Sequence, residues 1–297
     1  MTRLWKRIIR VTVSGKSGSA TFDAGQTPNP GLQISFNCSK SLGSKQNSGT
    51  VVITNLSKDR RNKLGEEYDE LTLEFGYQGG PMTVLIKGNI RDVTHAKTSP
   101  DITSTIEVGD GDKAVEKGAA SKTFKAGTKP KEIVEYLRDQ MPGLKKGEIK
   151  GLDDLPATKR PTTVYGYAYR ELDTLGRQHS FYWSIQDGKF QAVKNDEHLG
   201  GDILISAETG MLGVPTPTDK GCKVTCLIIP GLAPGKTMKV MSEFIDTGKG
   251  KDNEKRSTDA GGGVFRIAAI SYSGSSREDD CTAEVEGNRV AGDKVKK

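Results

Sequence analysis

The stretch ILISAETGMLGVPTPTDKGCKVTCLIIPGLAPGKTMKVMSE, residues 203 to 243, decides how the rest of the chain is read. Ile203 and Ile205 alternate toward one face before Thr209-Gly210 ends the run. Cys222, Val224 and Cys226 alternate again, and Leu227-Ile228-Ile229 extends them as a short apolar run. Pro230-Gly231 and Pro234-Gly235 punctuate, and Met238, Val240 and Ser242 close the stretch. Apolar positions of period two between Gly and Pro clusters specify antiparallel strands. The expected order is strand, Gly/Pro turn, strand, Pro-Gly turn, strand.

The same grammar runs through the first hundred residues. Ile8 to Val13, Leu32 to Phe36, Thr50 to Thr54, Leu71 to Tyr77, Val84 to Ile90 and Thr103 to Val108 all read as strands, separated by turn residues. Many short strands at this spacing predict a sandwich or barrel. Between Ile53-Thr54 and Leu71, a short helix is expected over Lys58–Leu64 with Ser57 as its N-cap.

From about residue 113 the period changes. Lys122–Gly127 is a strand and turn. Pro130 opens a helix in which Ile133, Val134, Leu137 and Met141 share a face, and Pro142-Gly143 stops it. A second helix is expected over Tyr169–Gln178. Asp187-Gly188 then turns a hairpin between Phe181–Ile185 and Lys189–Val193. After 203 the pattern is β again, with closing strands at Val264–Tyr272 and Cys281–Val285. Residues 247–263 carry five glycines among charges and no apolar period, and predict a mobile loop.

Several of these motifs together resemble one family. Thr209–Pro215, Gly221–Val224 and Leu227–Gly235 are similar to the signature stretch of Mu-like tail baseplate hub proteins of contractile-tailed bacteriophages. Ile53–Ser57, Phe75-Gly76-Tyr77, Lys87–Ile90, Asp101–Thr105 and Gly109-Asp110-Gly111 follow the same family's N-terminal part in order and spacing. The resemblance implies a mainly β (β+α) fold: two related tail-tube-like antiparallel β-barrel domains flanking a small α/β insert domain. The expected boundaries are 1–112, 113–202 and 203–297. It further implies a structural hub subunit, a homotrimer that joins a six-fold tail tube to a three-fold central spike. Its other partners would be the tape-measure protein and baseplate wedge proteins, with DNA only in transit through the lumen. A faint internal echo suits this reading. Val84, Ile86-Lys87, Ile90 and the strand to Ile106–Val108 echo Val264, Arg266-Ile267, Ile270 and the strand to Glu284-Val285.

Composition and motifs speak against other classes. The chain has 297 residues, 34% apolar and 6% aromatic, and 44 basic residues interleaved with 38 acidic ones. So few aromatics offer no stacking platform for single strands. A mixed surface lacks the concentrated stripe of a nucleic-acid binder, although Arg3, Lys6, Arg7 and Arg10 keep a nucleic-acid-binding β-barrel as one alternative. No apolar run is long enough for a membrane helix. The basic first ten residues are not followed by an apolar stretch, so no signal peptide is expected and the chain is expected to be made and used on the cytoplasmic side of its cell; the resemblance implies the virion baseplate, assembled in the host cytoplasm.

Gly231–Thr237 imitates a phosphate-cradling loop but is one residue short, holds Pro234, and precedes a strand where a helix is required. Cys38, Cys222, Cys226 and Cys281 form no CxxC pair, and buried thiols are expected. His95, His179 and His198 are scattered, and no G-x-S-x-G elbow occurs. The acidic pairs Glu66-Glu67, Asp153-Asp154 and Asp279-Asp280 read as solvated, leaving a wall-degrading tail enzyme as a second alternative. No catalytic, cofactor-binding or metal residue is therefore expected.

Overall fold

Strict alternation builds the first strands. Ile9, Val11 and Val13 are fully buried while their neighbours reach the surface, and Ile34, Phe36 and Cys38 repeat the pattern. The computed structural model describes residues 6–25, 30–242, 262–278 and 281–289. The first part holds β1 (Arg7–Gly15), β2 (Gly18–Gly25), β3 (Gln33–Ser41), β4 (Ser48–Thr54), α1 (Lys58–Lys63), β5 (Tyr68–Tyr77), β6 (Thr83–Thr98) and β7 (Asp101–Gly109). The middle part holds α2 (Asp112–Lys117), β8 (Ala119–Phe124), α3 (Pro130–Asp139), β9 (Lys145–Lys150), β10 (Thr162–Tyr167), α4 (Ala168–His179), β11 (Phe181–Gln186) and β12 (Lys189–Lys194). The last part holds β13 (Ile203–Ser206), β14 (Met211–Thr218), β15 (Gly221–Leu227), β16 (Thr237–Met241), β17 (Gly263–Ser275) and β18 (Cys281–Arg289).

Strands of the first and last parts form one 13-stranded sheet in the order β14-β15-β18-β17-β3-β4-β7-β6-β5-β1-β2, with β16 on β17 and β13 on β16. Within it one path occurs twice. In the first part the neighbours run β3-β4-β7-β6-β5; in the last part they run β14-β15-β18-β17-β16. Every pairing on both paths is antiparallel. The sequence order of the five strands is also the same. Both paths carry a bulge at the same place in the long strand, Arg91 in β6 opposite β7 and Ala268 in β17 opposite β18; the first also shifts register between β5 and β6 and the last between β14 and β15. These bulges make Ile90 the counterpart of Ile267. The echo read from sequence, which set Ile90 against Ile270, has the right strands in the wrong register.

The halves differ at their ends. β5 continues antiparallel into β1, whereas β16 continues parallel into β13. In the first half, β2 returns to the segment before β3: Ala24 bridges Gly31, Gly25 donates to Pro30, and Leu32 donates to Asp23. One apolar core, from Ile9 to Val108 and from Ile205 to Val285, lies under both halves. A second, from Ala114 to Ala192, belongs to the middle part, where α3 and α4 pack with Trp183 stacked on Phe190.

Two local expectations change. Gly210–Thr218, expected as a Gly/Pro turn, is strand β14 from Met211 on. Thr216 and Thr218 flank Pro217 and pair with Lys223 and Gly221. The prolines therefore fall where a missing N–H faces away from β15, which an edge strand tolerates. Ser57 stands at the N-cap of α1 but makes no side-chain capping bond. The 247–263 loop lies outside the described residues except for Gly262 and Gly263.

The pairing of β17 with β3 runs over Ala269–Ser275 and Ser41–Ser35. Gly274 sits inside it, where a Cβ would meet Cys281 Sγ at 2.6 Å and Phe36 Cζ at 2.9 Å. Gly274→Val is expected to cost about 2 kcal/mol by overpacking, against a near-neutral Thr105→Val on the partly exposed face, as read from denaturant midpoints.

Candidate functional site

The sheet has two unlike faces because its strands alternate on either side of the bulges. One face carries Phe36, Cys38, Val51, Ile53, Ile106, Val224, Ile270 and Tyr272 into the core. Residues directly opposite one another share a face, so the pairing registers define the other one. Ser271, Ser273 and Ser275 of β17 lie against Ser39, Asn37 and Ser35 of β3. Ser48 and Thr50 of β4 continue the row, then Thr105 and Glu107 of β7, then Thr94 and Asp92 of β6. On the other side the row passes to Thr282, Glu284 and Glu286 of β18, then to Thr225 and Lys223 of β15. Hydroxyls touch along it, Ser39 to Ser48 at 3.4 Å and Ser273 to Thr282 at 3.3 Å. The residues named on this face are small and hydroxylic or charged, with acids outnumbering Lys223, which Glu284 holds at 2.7 Å.

The middle part is pinned to this sheet by buried polar groups. Lys40 of β3 is 4% exposed, and its ammonium donates to both carboxylate oxygens of Asp187 at 2.8 Å and to the Val84 carbonyl. Asp187 stands at the β11–β12 hairpin, where φ values of 54° and 75° at Asp187 and Gly188 form the turn that Asp-Gly favours. Asp110 accepts the Asp187 and Gly188 amides at 2.6 and 2.9 Å. Asn47 donates to Asp110, to the Ile185 carbonyl and to Gln186. Burial first and the Asp187 carboxylate second push the Asp110 carboxyl up to about 6, against the two backbone donors and Lys40. A second pin is Arg266 of β17, whose guanidinium donates to the carbonyls of Lys194, Asn195 and Glu197 and lies over the Tyr182 ring. Apart from Asp187, whose Asp-Gly pair marks the hairpin, and Asp110, which lies in the Gly109-Asp110-Gly111 motif, these residues carry no local signal in the sequence.

The residues weighed for chemistry are dispersed. Cys38, Cys222 and Cys226 are buried thiols, and burial pushes each up to about 12, away from the thiolate a ligand or nucleophile needs. Cys281 is buried as well, its thiol 3.5 Å from the Ser275 carbonyl. Gly231–Gly235 is a turn leading into β16, with Lys236 donating to the Gly231 carbonyl. His95 meets Ser104 at 3.0 Å, and His198 accepts the Gly200 amide. Among the described residues no three His, Cys, Asp or Glu side chains cluster as metal ligands. Glu66-Glu67 and Asp153-Asp154 lie far apart in the chain, on exposed segments; Asp279-Asp280 lies outside the described residues. Large exposed aliphatic side chains concentrate in one region, at Leu204, Leu212, Val214 and Met241, beside an apolar groove lined by Ile203, Leu227, Ile229 and Pro230.

Three comparisons bear on this arrangement. The profile of the family described as "Baseplate hub gp41" matches residues 8–251. No curated protein sequence matches the chain. Solved structures share the fold. A tail protein from Neisseria meningitidis MC58 superposes with a TM-score of 0.60 at 12% identity, over 96% of this chain and 97% of its own. The 43 kDa tail protein of prophage MuSo2 from Shewanella oneidensis gives 0.57 at 11% identity, over 94% and 98%. The E. coli c3393 protein, a type VI secretion component described as similar to the T4 tail proteins gp27 and gp5, gives 0.58 at 12%, over 95% and 77%.

Two outcomes follow from the pins. A carboxyl raised in the folded protein keeps its proton where the unfolded chain has lost it. Asp110's contribution is thus whole below 3.8 and is lost as pH rises through about 6. Between pH 4.5 and 7 the native chain should lose on the order of 2 kcal/mol more stability than Asp110→Asn, measured by urea unfolding; parallel pH profiles would contradict this. Arg266→Met should cost about 2 to 4 kcal/mol, since three part-buried carbonyls lose a charged donor, read from the same unfolding curves.

Proposed function

The chain belongs to the baseplate hub gp41 family, and from that premise we propose that three copies form the ring joining a six-fold tail tube to a three-fold central spike. The family makes it a structural component of a phage tail baseplate, and so of the virion; it is a family of tail components and not of enzymes. The observation that carries the finer reading is the repeated strand path. Two halves with the same five-strand order and the same bulge give each chain two near-equal units. Three chains then present six such units on one side while the whole assembly keeps three-fold symmetry. In this reading 1–112 and 203–297 are the two tube-like domains and 113–202 is the insert between them.

The hydroxyl-rich face lines the channel. Its small side chains leave a smooth wall, and its excess of Asp92, Glu107, Glu284 and Glu286 over Lys223 and Arg91, which reaches over the face beside Glu107, repels a passing polyanion. A grip on nucleic acid would need the opposite sign. The tape-measure protein occupies the channel before ejection, and DNA crosses it afterwards. The apolar region around Leu204 and Met241 and the insert remain for the tube, the spike and the baseplate wedge. Assembly takes place in the host cytoplasm before the tail is complete.

Sedimentation of the purified chain, alone and with its spike protein, tests the stoichiometry. The expected species is a trimer. A stable monomer in both samples would contradict the reading.

A further inference from the structure

The repeat leaves one joint made and its counterpart open. Inside the chain, β17 beyond its bulge has left β16 and pairs with β3, the first strand of the other half. The counterpart of β17 is β6, and the counterpart of β3 is β14. Beyond its bulge β6 has likewise left β5, and among the described residues Asp92–Thr98 pairs only with β7. Among the described residues β14 likewise pairs only with β15. Both are sheet edges, and an edge this long is normally covered, blunted or paired.

We propose that the outer edge of β6 in one copy pairs antiparallel with the outer edge of β14 in a second copy, with Thr94 opposite the partner's Thr218, Ala96 opposite the partner's Thr216 and Thr98 opposite the partner's Leu212. The register comes from the internal joint. The bulges set Ser271, Ser273 and Ser275 equivalent to Thr94, Ala96 and Thr98. Through β4–β7 and β15–β18, the pairings set Ser39, Asn37 and Ser35 equivalent to Thr218, Thr216 and Leu212. Because Ser271 faces Ser39 inside the chain, Thr94 faces Thr218 between chains.

Three further observations favour a second copy as the occupant. The residues brought together extend the hydroxyl row: Thr94 meets Thr218 and Thr216 lies beside them opposite Ala96, as serines meet serines and Asn37 at the internal joint. Leu212 and Val214, 41% and 43% exposed, lie on β14 where the β6 tip would cover them. The backbone donors are also complementary. Strand alternation turns the amides of Thr94, Ala96 and Thr98 toward β7, leaving those of Val93, His95 and Lys97 on the outer edge. On β14 the outer positions 215 and 217 are prolines, which accept but cannot donate. Two β14 edges cannot satisfy each other, whereas the β6 edge supplies the donors that β14 lacks.

This joint rests on the three-copy ring only for the number of copies, and one experiment separates the two ideas. The full chain carrying Thr94→Cys and Thr218→Cys is oxidised and run in denaturing gels, with the sedimentation state of the same sample recorded. The control carries Thr98→Cys and Thr218→Cys, out of register. Expected are trimers in solution, a covalent trimer from the first pair, little from the control, and only covalent dimers when the two single variants are mixed. Lys97→Pro, which removes an outer-edge donor while sparing the β7 ladder and the His95–Ser104 contact, should weaken association at least tenfold and leave the unfolding midpoint of the monomer unchanged. Trimers that crosslink only in the control, or in neither variant, overturn the joint and leave the ring. Monomers at every concentration, without crosslinks, overturn both.

Discussion

The main-chain ladder between β17 and β3 is the constraint on which the architecture depends. It joins residues more than two hundred positions apart, and it makes one sheet of two halves whose strand orders are the same. A ladder of this kind fixes more than proximity. A slip of one residue would turn Tyr272 and Cys38 out of the core and drive the serines into it. The apolar alternation of Phe36, Cys38, Ile270 and Tyr272 therefore sets how the halves sit on each other. The bulges set where each long strand leaves one neighbour and takes the next.

The insert is held by a different kind of force. Its own core is separate from that beneath the sheet, and its attachment runs through Lys40, Asp187, Asp110, Asn47 and Arg266. Buried polar contacts of this kind add modest net stability, but leaving any one of them unpaired is costly. The attachment is thus specific in position more than it is strong. It also reaches the sheet at the joint itself, since Lys40 is a β3 residue opposite Ile270. A charge change in the β11–β12 hairpin is felt where the two halves meet.

Much of this was legible in the sequence because it is local. Period-two runs located β1, β3, β5, β15, β17 and β18, and Pro130 and Asp187-Gly188 marked a helix start and a hairpin for reasons of backbone geometry. What escaped was of two kinds. Strand β14 contains Pro215 and Pro217, which locally signal a turn; only the identity of the strand's neighbours shows that an edge can accept them. Lys145–Lys150 lacks apolar alternation, and β9 exists because β12 offers it a parallel edge. Non-local pairing was invisible for the same reason. The echo between halves could be seen in the apolar pattern, but its register is set by Arg91 and Ala268, bulge residues with no signature of their own. Cys38, Cys222 and Cys226 turned out as the spacing suggested, buried and electrostatically quiet.

The central claim is that one chain supplies two near-equal units to a ring. Electron cryomicroscopy of intact tails, reconstructed at the hub layer without imposed symmetry, tests it most directly. The account predicts three chains and six similar β lobes around the channel, alternating first half and last half. A ring of six whole chains, or three lobes with the last halves displaced from the channel wall, would contradict it.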